Sequence, residues 1–357
     1  MAKYLQVSEW ILSNIAENNL KQGDNIPPEL QLSQTLHVSR QTVRKAIEHL
    51  VSRGILTTIQ GSGTYVAHPP KLRAAPVSSQ NIAVITTYLD SYIFPQKISA
   101  IYDALARSGF LMNLLGTNNS AETEHYVLSS LLDKDFAGII LEPSRSTLPR
   151  IQPELYRQLK ETFPIVLIDC NYSDISLPRI ALDDREGGYL ATKHLLEHGH
   201  RDIMHIGKLD DLQGIYRYQG YLRALQEYQI IPRETDVLWY TNETSPSMFL
   251  DVQEERVLAC LENHSAVYCY NDLMASALLA FLTDHGIRVP DDLSVVGYDD
   301  SPLARQGMGL TTVVHPSVDI GLKTAENLVK LIHDPTFDAN YTFTPKLVER
   351  DTVKDHT

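Results

Sequence analysis

Apolar residues near the N-terminus recur every three or four positions, in three stretches separated by turn residues. Val7, Trp10, Ile11 and Ile15 predict a helix over 7–18, with Gly23 beyond its end. Residues 24–28 read as a turn, and the Pro27-Pro28 pair opens a second helix at Glu29, with Leu30, Leu32 and Leu36 on its apolar side. His37-Val38 make the next turn, and Ser39 can cap a third helix, because its hydroxyl accepts a free backbone N–H there. Val43, Ile47, Leu50 and Val51 face inward on that helix, and Gly54 falls at its C-cap. Strands over 56–59 and 64–67 follow, joined by Gln60-Gly61-Ser62-Gly63, a tip small enough to approach a phosphate closely. Helix, turn, helix and glycine-tipped hairpin make a winged helix-turn-helix (α+β), a shape whose recognition helix enters the major groove of DNA.

The texture changes after residue 67. Residues 68–80 hold three prolines and two serines without apolar periodicity, and read as a linker. From Asn81 onward, short β-rich runs at 82–88, 110–116, 138–142, 165–170, 203–207, 237–240, 267–270 and 294–298 alternate with helical stretches. The helices are expected at 96–107, 121–133, 186–198, 216–228, 249–262, 273–285 and 320–332. Continuously apolar strands between helices predict parallel sheets covered on both faces. The stretch is too long for one such sheet, so two lobes are expected, with a ligand in the cleft at the carboxyl ends of the strands. The chain divides on this reading into a DNA reader over 1–67, the linker, and a two-lobed α/β domain over 81–357.

Net charge sharpens this division. The 357 residues carry 31 Lys/Arg and 44 Asp/Glu, a net −13 that looks wrong for a DNA binder. Residues 1–75 hold 8 basic and 5 acidic residues, giving +3; the remaining 23 basic and 39 acidic residues give −16. A phosphate-facing surface therefore belongs to the N-terminal segment, and the acidic remainder faces away from DNA. At 43% hydrophobic and 21% charged the chain is globular. No apolar run reaches the ~18–20 residues of a membrane span, so no membrane partner is expected. Cys170, Cys260 and Cys269 lack metal spacing and fit reduced, buried thiols in a cytoplasm; MAKYLQVSEW shows no signal-peptide pattern.

Two sets of side chains could carry chemistry. Ser39, Arg40, Gln41, Thr42, Arg44 and Lys45 lie outward at the start of the third helix. Arginine reads guanine bidentately, glutamine reads adenine, and hydroxyls and lysine hold phosphates. A charged helix face is often only solvated, but here the cap, the preceding helix and the wing stand in register. The second set lies at the predicted strand ends: Tyr88, Tyr92 and Phe94; Glu142; Asp169-Cys170-Asn171; Lys208, Asp211 and Gln213; Asn271-Asp272; Asp299-Asp300; and His315. Carboxylates and amides bridge neighbouring hydroxyls while aromatic rings cover a C–H face, which suits a polyol. Polar strand-end loops also arise for local reasons, and Asp184 and Asp272 are expected to cap helices.

The run Val38-Ser39-Arg40-Gln41-Thr42-Val43-Arg44-Lys45-Ala46-Ile47, with Pro28-Glu29 before it and Gly61-Ser62-Gly63-Thr64-Tyr65-Val66 after it, resembles the DNA-binding domain of the GntR family. The resemblance implies DNA contacts from Ser39, Arg40, Thr42, Arg44 and the Gly61 wing, and adds Glu29, Gln60, Ser62 and Gly63 to the DNA-binding set. Many relatives place arginine where this chain has Leu30, which removes one contact from the second helix. The larger part resembles the sugar-responsive LacI/GalR repressors and their periplasmic sugar-binding relatives. The motifs are 182–192 (LDDREGGYLAT), Tyr270-Asn271-Asp272-Leu273-Met274-Ala275, Val296-Gly297-Tyr298-Asp299-Asp300 and Leu310-Thr311-Thr312-Val313-Val314-His315-Pro316. This likeness implies that Asn271, Asp299 and His315 face a sugar. Relatives clamp the ligand with an arginine where this chain has Ile215, so Lys208 or Gln213 takes that place, and Arg217 serves structure.

A GntR-type reader joined to a LacI/GalR-type sensor resembles arabinose-responsive repressors. It implies an operator-binding homodimer, paired through the C-terminal domain, that L-arabinose or another small sugar releases from double-stranded DNA. His194 and His198 have the i, i+4 spacing of a metal pair with His200 nearby, but the His198-Gly199-His200-Arg201 run matches a structural turn of this family, so no metal and no cofactor is expected. No P-loop, GxSxG, HExxH or dinucleotide-binding glycine motif is present, so catalysis is not expected. The rival reading is a regulator, repressor or activator, that responds to a different pentose, hexose or phosphosugar; only the position of the operator would discriminate an activator.

Overall fold

The computed structural model describes residues 3–18, 20–52, 54–59, 62–67, 79–90, 92–172, 174–305 and 309–356, without the side chains of residues 5, 9, 13, 16 and 17. The chain forms two compact units, Met1–Pro76 and Val77–Thr357. Most of the expected linker, like Gln60 and Gly61 of the wing, lies outside the described residues.

The first unit comprises α1 (Lys3–Glu17), α2 (Glu29–Thr35), α3 (Arg40–Ser52) and an antiparallel hairpin of β1 (Leu56–Ile59) and β2 (Gly63–Val66). Ser39 caps α3 as expected, accepting the Thr42 N–H at 3.2 Å, and Gly54 ends it with φ +70°. Val7, Ile11, Leu32, Val43, Leu50 and Leu56 share one core. Two expected core residues lie outside it. Leu30 is 47% exposed, because two positions from the buried Leu32 is about 200° around the helix. Val51 is 37% exposed, one step past the buried stripe of Val43, Ala46, Ile47 and Leu50.

The second unit alternates strands and helices. The chain lays down β3 (Asn81–Thr86), α4 (Phe94–Arg107), β4 (Leu111–Gly116), α5 (Ala121–Leu131), β5 (Gly138–Leu141), α6 (Pro153–Thr162), β6 (Ile165–Ile168) and β7 (Arg179–Leu182). It then builds a second lobe from α7 (Asp184–Glu197), β8 (Ile203–Lys208), α8 (Leu212–Glu227), β9 (Val237–Tyr240), α9 (Pro246–Val252), α10 (Glu254–Leu261), β10 (Ala266–Cys269), α11 (Asp272–Asp284), β11 (Ser294–Asp299) and β12 (Thr311–Val314). It returns to the first lobe for α12 (Ser317–His333) and β13 (Tyr341–Phe343), and crosses once more to end on β14 (Leu347–Val348).

All eight expected strands are present. The sheets order as β4-β3-β5-β6-β7-β13 and β9-β8-β10-β11-β12-β14. Every pair within them is parallel except β12–β14, which the parallel expectation did not foresee. The helix expected over 249–262 is two, α9 and α10, meeting at Gln253. Strands such as β6 and β8 are buried along their whole length, as a sheet with both faces covered requires. Helices α7 and α8 cross where glycines let backbones touch: a Cβ on Gly188 would meet the Arg217 carbonyl at 2.1 Å, and one on Gly220 the Arg185 carbonyl at 2.1 Å. No helix among the described residues is long and apolar enough to cross a membrane.

Candidate functional site

In both sheets the second strand of the lobe lies outside the first and the third lies inside it, so the direction of winding reverses between β3 and β5 and between β8 and β10. Loops leaving the carboxyl ends of such strands part at that point and leave a crevice. The two crevices share one cavity of about 450 Å³, within the ~300–1,000 Å³ usual for small-molecule sites. Tyr88, Tyr92, Phe94, Glu142, Lys208, Asp211, Gln213, Asn271, Asp299 and His315, all expected from sequence, line it. Asn171 does not. Its amide oxygen accepts from Arg179 at 3.0 Å and Tyr216 at 3.3 Å, and its nitrogen donates to the Tyr172 carbonyl, so the site expectation for this residue is corrected.

The walls carry buried charge. Lys97, on α4, has no exposed surface; its ammonium lies 2.9 Å from Glu142 Oε1 and donates to Asp169. His315 Nε2 lies 3.1 Å from the other Asp169 oxygen, and its Nδ1 2.8 Å from Ser317 Oγ. Glu142 also accepts the Thr87 N–H at 2.9 Å and hydroxyl at 3.0 Å. Burial alone would raise the Asp169 carboxyl, but Lys97 and His315 hold it below the usual carboxylate range. Burial opposes the Lys97 charge, yet the two carboxylates keep its pKa above the ordinary value. Burial dominates at Glu142 and raises it. Lys97 was missed from sequence; the available signal was a lysine on the same helix face as Phe94, Ile98 and Ile101.

The second lobe pairs its charges similarly. Lys208 Nζ lies 2.7 Å from Asp211. Arg217, 2% exposed, donates to Asp184 at 2.9 Å and to the Tyr270 carbonyl at 2.8 Å, stands 3.6 Å over the Tyr298 ring, and approaches Asp299 Oδ1 at 3.5 Å. It reaches the cavity wall, but its guanidinium is committed to protein groups. Asp299 Oδ1 is buried without a hydrogen-bond partner among the described residues. The helix-cap expectation was one residue out at two places. Asp183 caps α7 and Asn271 caps α11, accepting from Glu186 N and Met274 N, while Asp184 and Asp272 sit inside the first turns and bond tertiary partners. Asn271 thereby commits one acceptor position and keeps its NH₂ for a ligand.

Bonds also cross the cleft. Tyr92 Oη donates to Asp299 Oδ2 at 2.6 Å, Tyr88 Oη to Asn242 Oδ1 at 2.5 Å, Asn119 Nδ2 to Asp211 at 3.2 Å, and Leu212 N to Ser146 Oγ at 2.9 Å. Tyr92, Asp169 and Asp299 hold φ of +62°, +64° and +109°, backbone strain of the kind that collects at ligand clamps.

In the first unit, Arg40, Gln41, Arg44 and Lys45 are exposed on α3. Both carboxylate oxygens of Glu29 on α2 accept from one edge of the Arg44 guanidinium, Nε at 3.2 Å and Nη2 at 2.9 Å, which fixes how that arginine projects. Ser39 and Thr42 hydroxyls lie 2.8 Å apart, and Lys45 stands 4.9 Å over the Tyr4 ring. In the wing, Ser62 Oγ bonds Tyr65 Oη at 2.5 Å and Gly63 has φ +144°.

Residues 3–66 match the family described as bacterial regulatory proteins, gntR family, and residues 192–353 the periplasmic binding protein-like domain. Reader and sensor in one chain define a ligand-responsive transcriptional regulator rather than an enzyme. Across almost its full length the chain is similar to the arabinose metabolism transcriptional repressors of Geobacillus stearothermophilus, 35% identical over 99% of this chain and 98% of the relative, and Halalkalibacterium halodurans, 36% identical over 98% and 96%. The solved complex of the transcriptional regulator CelR with cellobiose superposes with a TM-score of 0.69 at 26% identity, covering 88% of this chain and 90% of that one. The chain belongs to the family of the arabinose metabolism transcriptional repressors.

Proposed function

We propose that this chain is an operator-binding repressor of sugar-utilisation genes, acting in the cytoplasm as a homodimer through its larger unit, with L-arabinose as the effector that releases it. The observation that carries the sugar reading is the composition of the cavity wall. The cations Lys97, Lys208 and Arg217 each already face a carboxylate, while Asp299 Oδ1, 3.5 Å from Arg217, has no hydrogen-bond partner among the described residues. A phosphorylated ligand would need an uncommitted cation; a neutral polyol instead offers hydroxyl donors to Asp299 and acceptors to the Asn271 NH₂. Tyr88, Phe94, Tyr240 and Tyr270 supply ring faces for its C–H surface. The names of the full-length relatives favour L-arabinose among such polyols.

On the DNA side, Arg40, Gln41 and Arg44 are assigned to base edges, Ser39, Thr42 and Lys45 to phosphates, and Gln60 to Gly63 to the wing contact; Glu29 orients Arg44. A winged helix reads one half-site, so a palindromic operator requires two chains. Gel-shift titration on promoter DNA upstream of the chain's own gene and neighbouring sugar genes, with L-arabinose, other pentoses and hexoses, tests the whole reading. Release by L-arabinose alone is expected. Release by another sugar would overturn the effector, and specific binding that no sugar alters would overturn the sensor role.

A further inference from the structure

His194 and His198 lie one turn apart at the end of α7, on the outside of the second lobe and away from the sugar cavity. The structure separates His200 from them: its ring bonds Ser265 Oγ at 2.8 Å and the Lys354 carbonyl at 3.1 Å. Its place is taken by Glu349, which directly follows β14. One ring nitrogen of each of the two histidines and one Glu349 oxygen lie within 4.8 Å of one another. His198 Nε2 to Glu349 Oε1 is 3.8 Å, close to the roughly 3.4 Å that separates two ligands on ~2.05 Å bonds at a tetrahedral angle.

Three further details prepare these groups to ligate. His198 Nδ1 lies 2.8 Å from the His194 carbonyl, so it carries the proton and leaves the Nε2 lone pair outward, the arrangement that metal-binding histidines adopt. His194 is only 7% exposed, and its Nε2 is buried with no hydrogen-bond partner among the described residues. The backbone is also held, since His356 N–H donates to the His198 carbonyl at 2.7 Å.

We propose that His194, His198 and Glu349 bind a divalent transition-metal ion of the zinc type, clipping the end of α7 to the C-terminal strand. Two imidazoles and a carboxylate suit Zn²⁺ with water completing the shell. The test uses tag-free, full-length protein stripped with a chelator and titrated with Zn²⁺ alone against a chromophoric competitor. One Zn²⁺ per chain is expected, with affinity reduced at least about tenfold in His198→Ala and in Glu349→Gln, and unchanged in the control His333→Asn. The Glu349 side chain is 66% exposed, so Glu349→Gln tests the site even where His198→Ala perturbs folding. No Zn²⁺ retained by the wild type, or equal affinity in wild type and Glu349→Gln, would overturn the site.

Discussion

Lys97 shows how a single buried charge organises the cavity wall. Its ammonium neutralises Glu142 and Asp169, neither of which reaches much solvent. Lys97→Met would leave two carboxylates without their cation, and losing one partner of a buried pair costs about 3–5 kcal/mol. Denaturant unfolding should register a loss of that order; a loss under about 1 kcal/mol would show that the carboxylates find other compensation. Asp272 supplies a pH signature. Burial first, and the Asp299 charge second, push its carboxyl up to about 7 against hydrogen bonds from Thr312 and Ser301. The folded chain thus binds this proton more tightly than the unfolded one. Its contribution to stability is complete below about pH 4 and is lost as pH rises through about 7, on the order of 4 kcal/mol in all. Asp169, held low, acts oppositely: its contribution is present above about pH 4 and is lost on further acidification. Unfolding curves at pH 5 and pH 8 should therefore converge in Asp272→Asn, and an unaltered pH difference would count against this assignment.

The pairing of α2 with α3 is the informative contact among the elements. Glu29 presents Arg44 in a fixed fork, while the neighbouring Leu30 offers nothing polar to DNA. Arg44→Ala is expected to weaken operator binding by roughly tenfold or more and to relax preference at one base pair. Glu29→Gln should lose part of that preference with a smaller change in total affinity. Equal losses on operator and random DNA would make Arg44 a phosphate contact instead. At this scale the sequence was legible wherever apolar periodicity ran for several turns or strands were long. It was not legible for the four-residue β7 and β12, nor for β13 and β14, which are three and two residues long and add to the edges those strands provide. The cap positions at Asp183 and Asn271 were misread by one residue, since adjacent Asp and Asn residues are equally able to cap and only backbone geometry decides which one does.

Across the whole larger unit, bonds such as Tyr92–Asp299 join one lobe to the other around the cavity. Tyr92→Phe removes a hydrogen bond to a charged group, worth about 1.5–3 kcal/mol, and should weaken sugar binding by roughly tenfold or more in calorimetry; unchanged affinity would show that the cross-cleft bond does not support the bound state. Linkage adds a stricter demand. Whatever factor L-arabinose takes from operator affinity, saturating operator must take from sugar affinity. Unequal factors would mean that the two sites do not communicate through one equilibrium.

Apolar period, turn chemistry and motif spacing are local properties. They were enough to determine the reader, the parallel α/β character of the sensor and the eleven, of fifteen strand-end residues named from sequence, that line the cavity, because strand-end residues in such folds have few other places to go. Three things were decided only by tertiary structure. Lys97 turns inward because two carboxylates just past the ends of β5 and β6 await it. Asn171 is drawn away because Arg179 and Tyr216 claim its amide. Glu349 joins His194 and His198 because β14 pairs antiparallel with β12. In each case at least one deciding partner lies far away in sequence, and the energy of a buried or liganded polar group depends on which partner arrives.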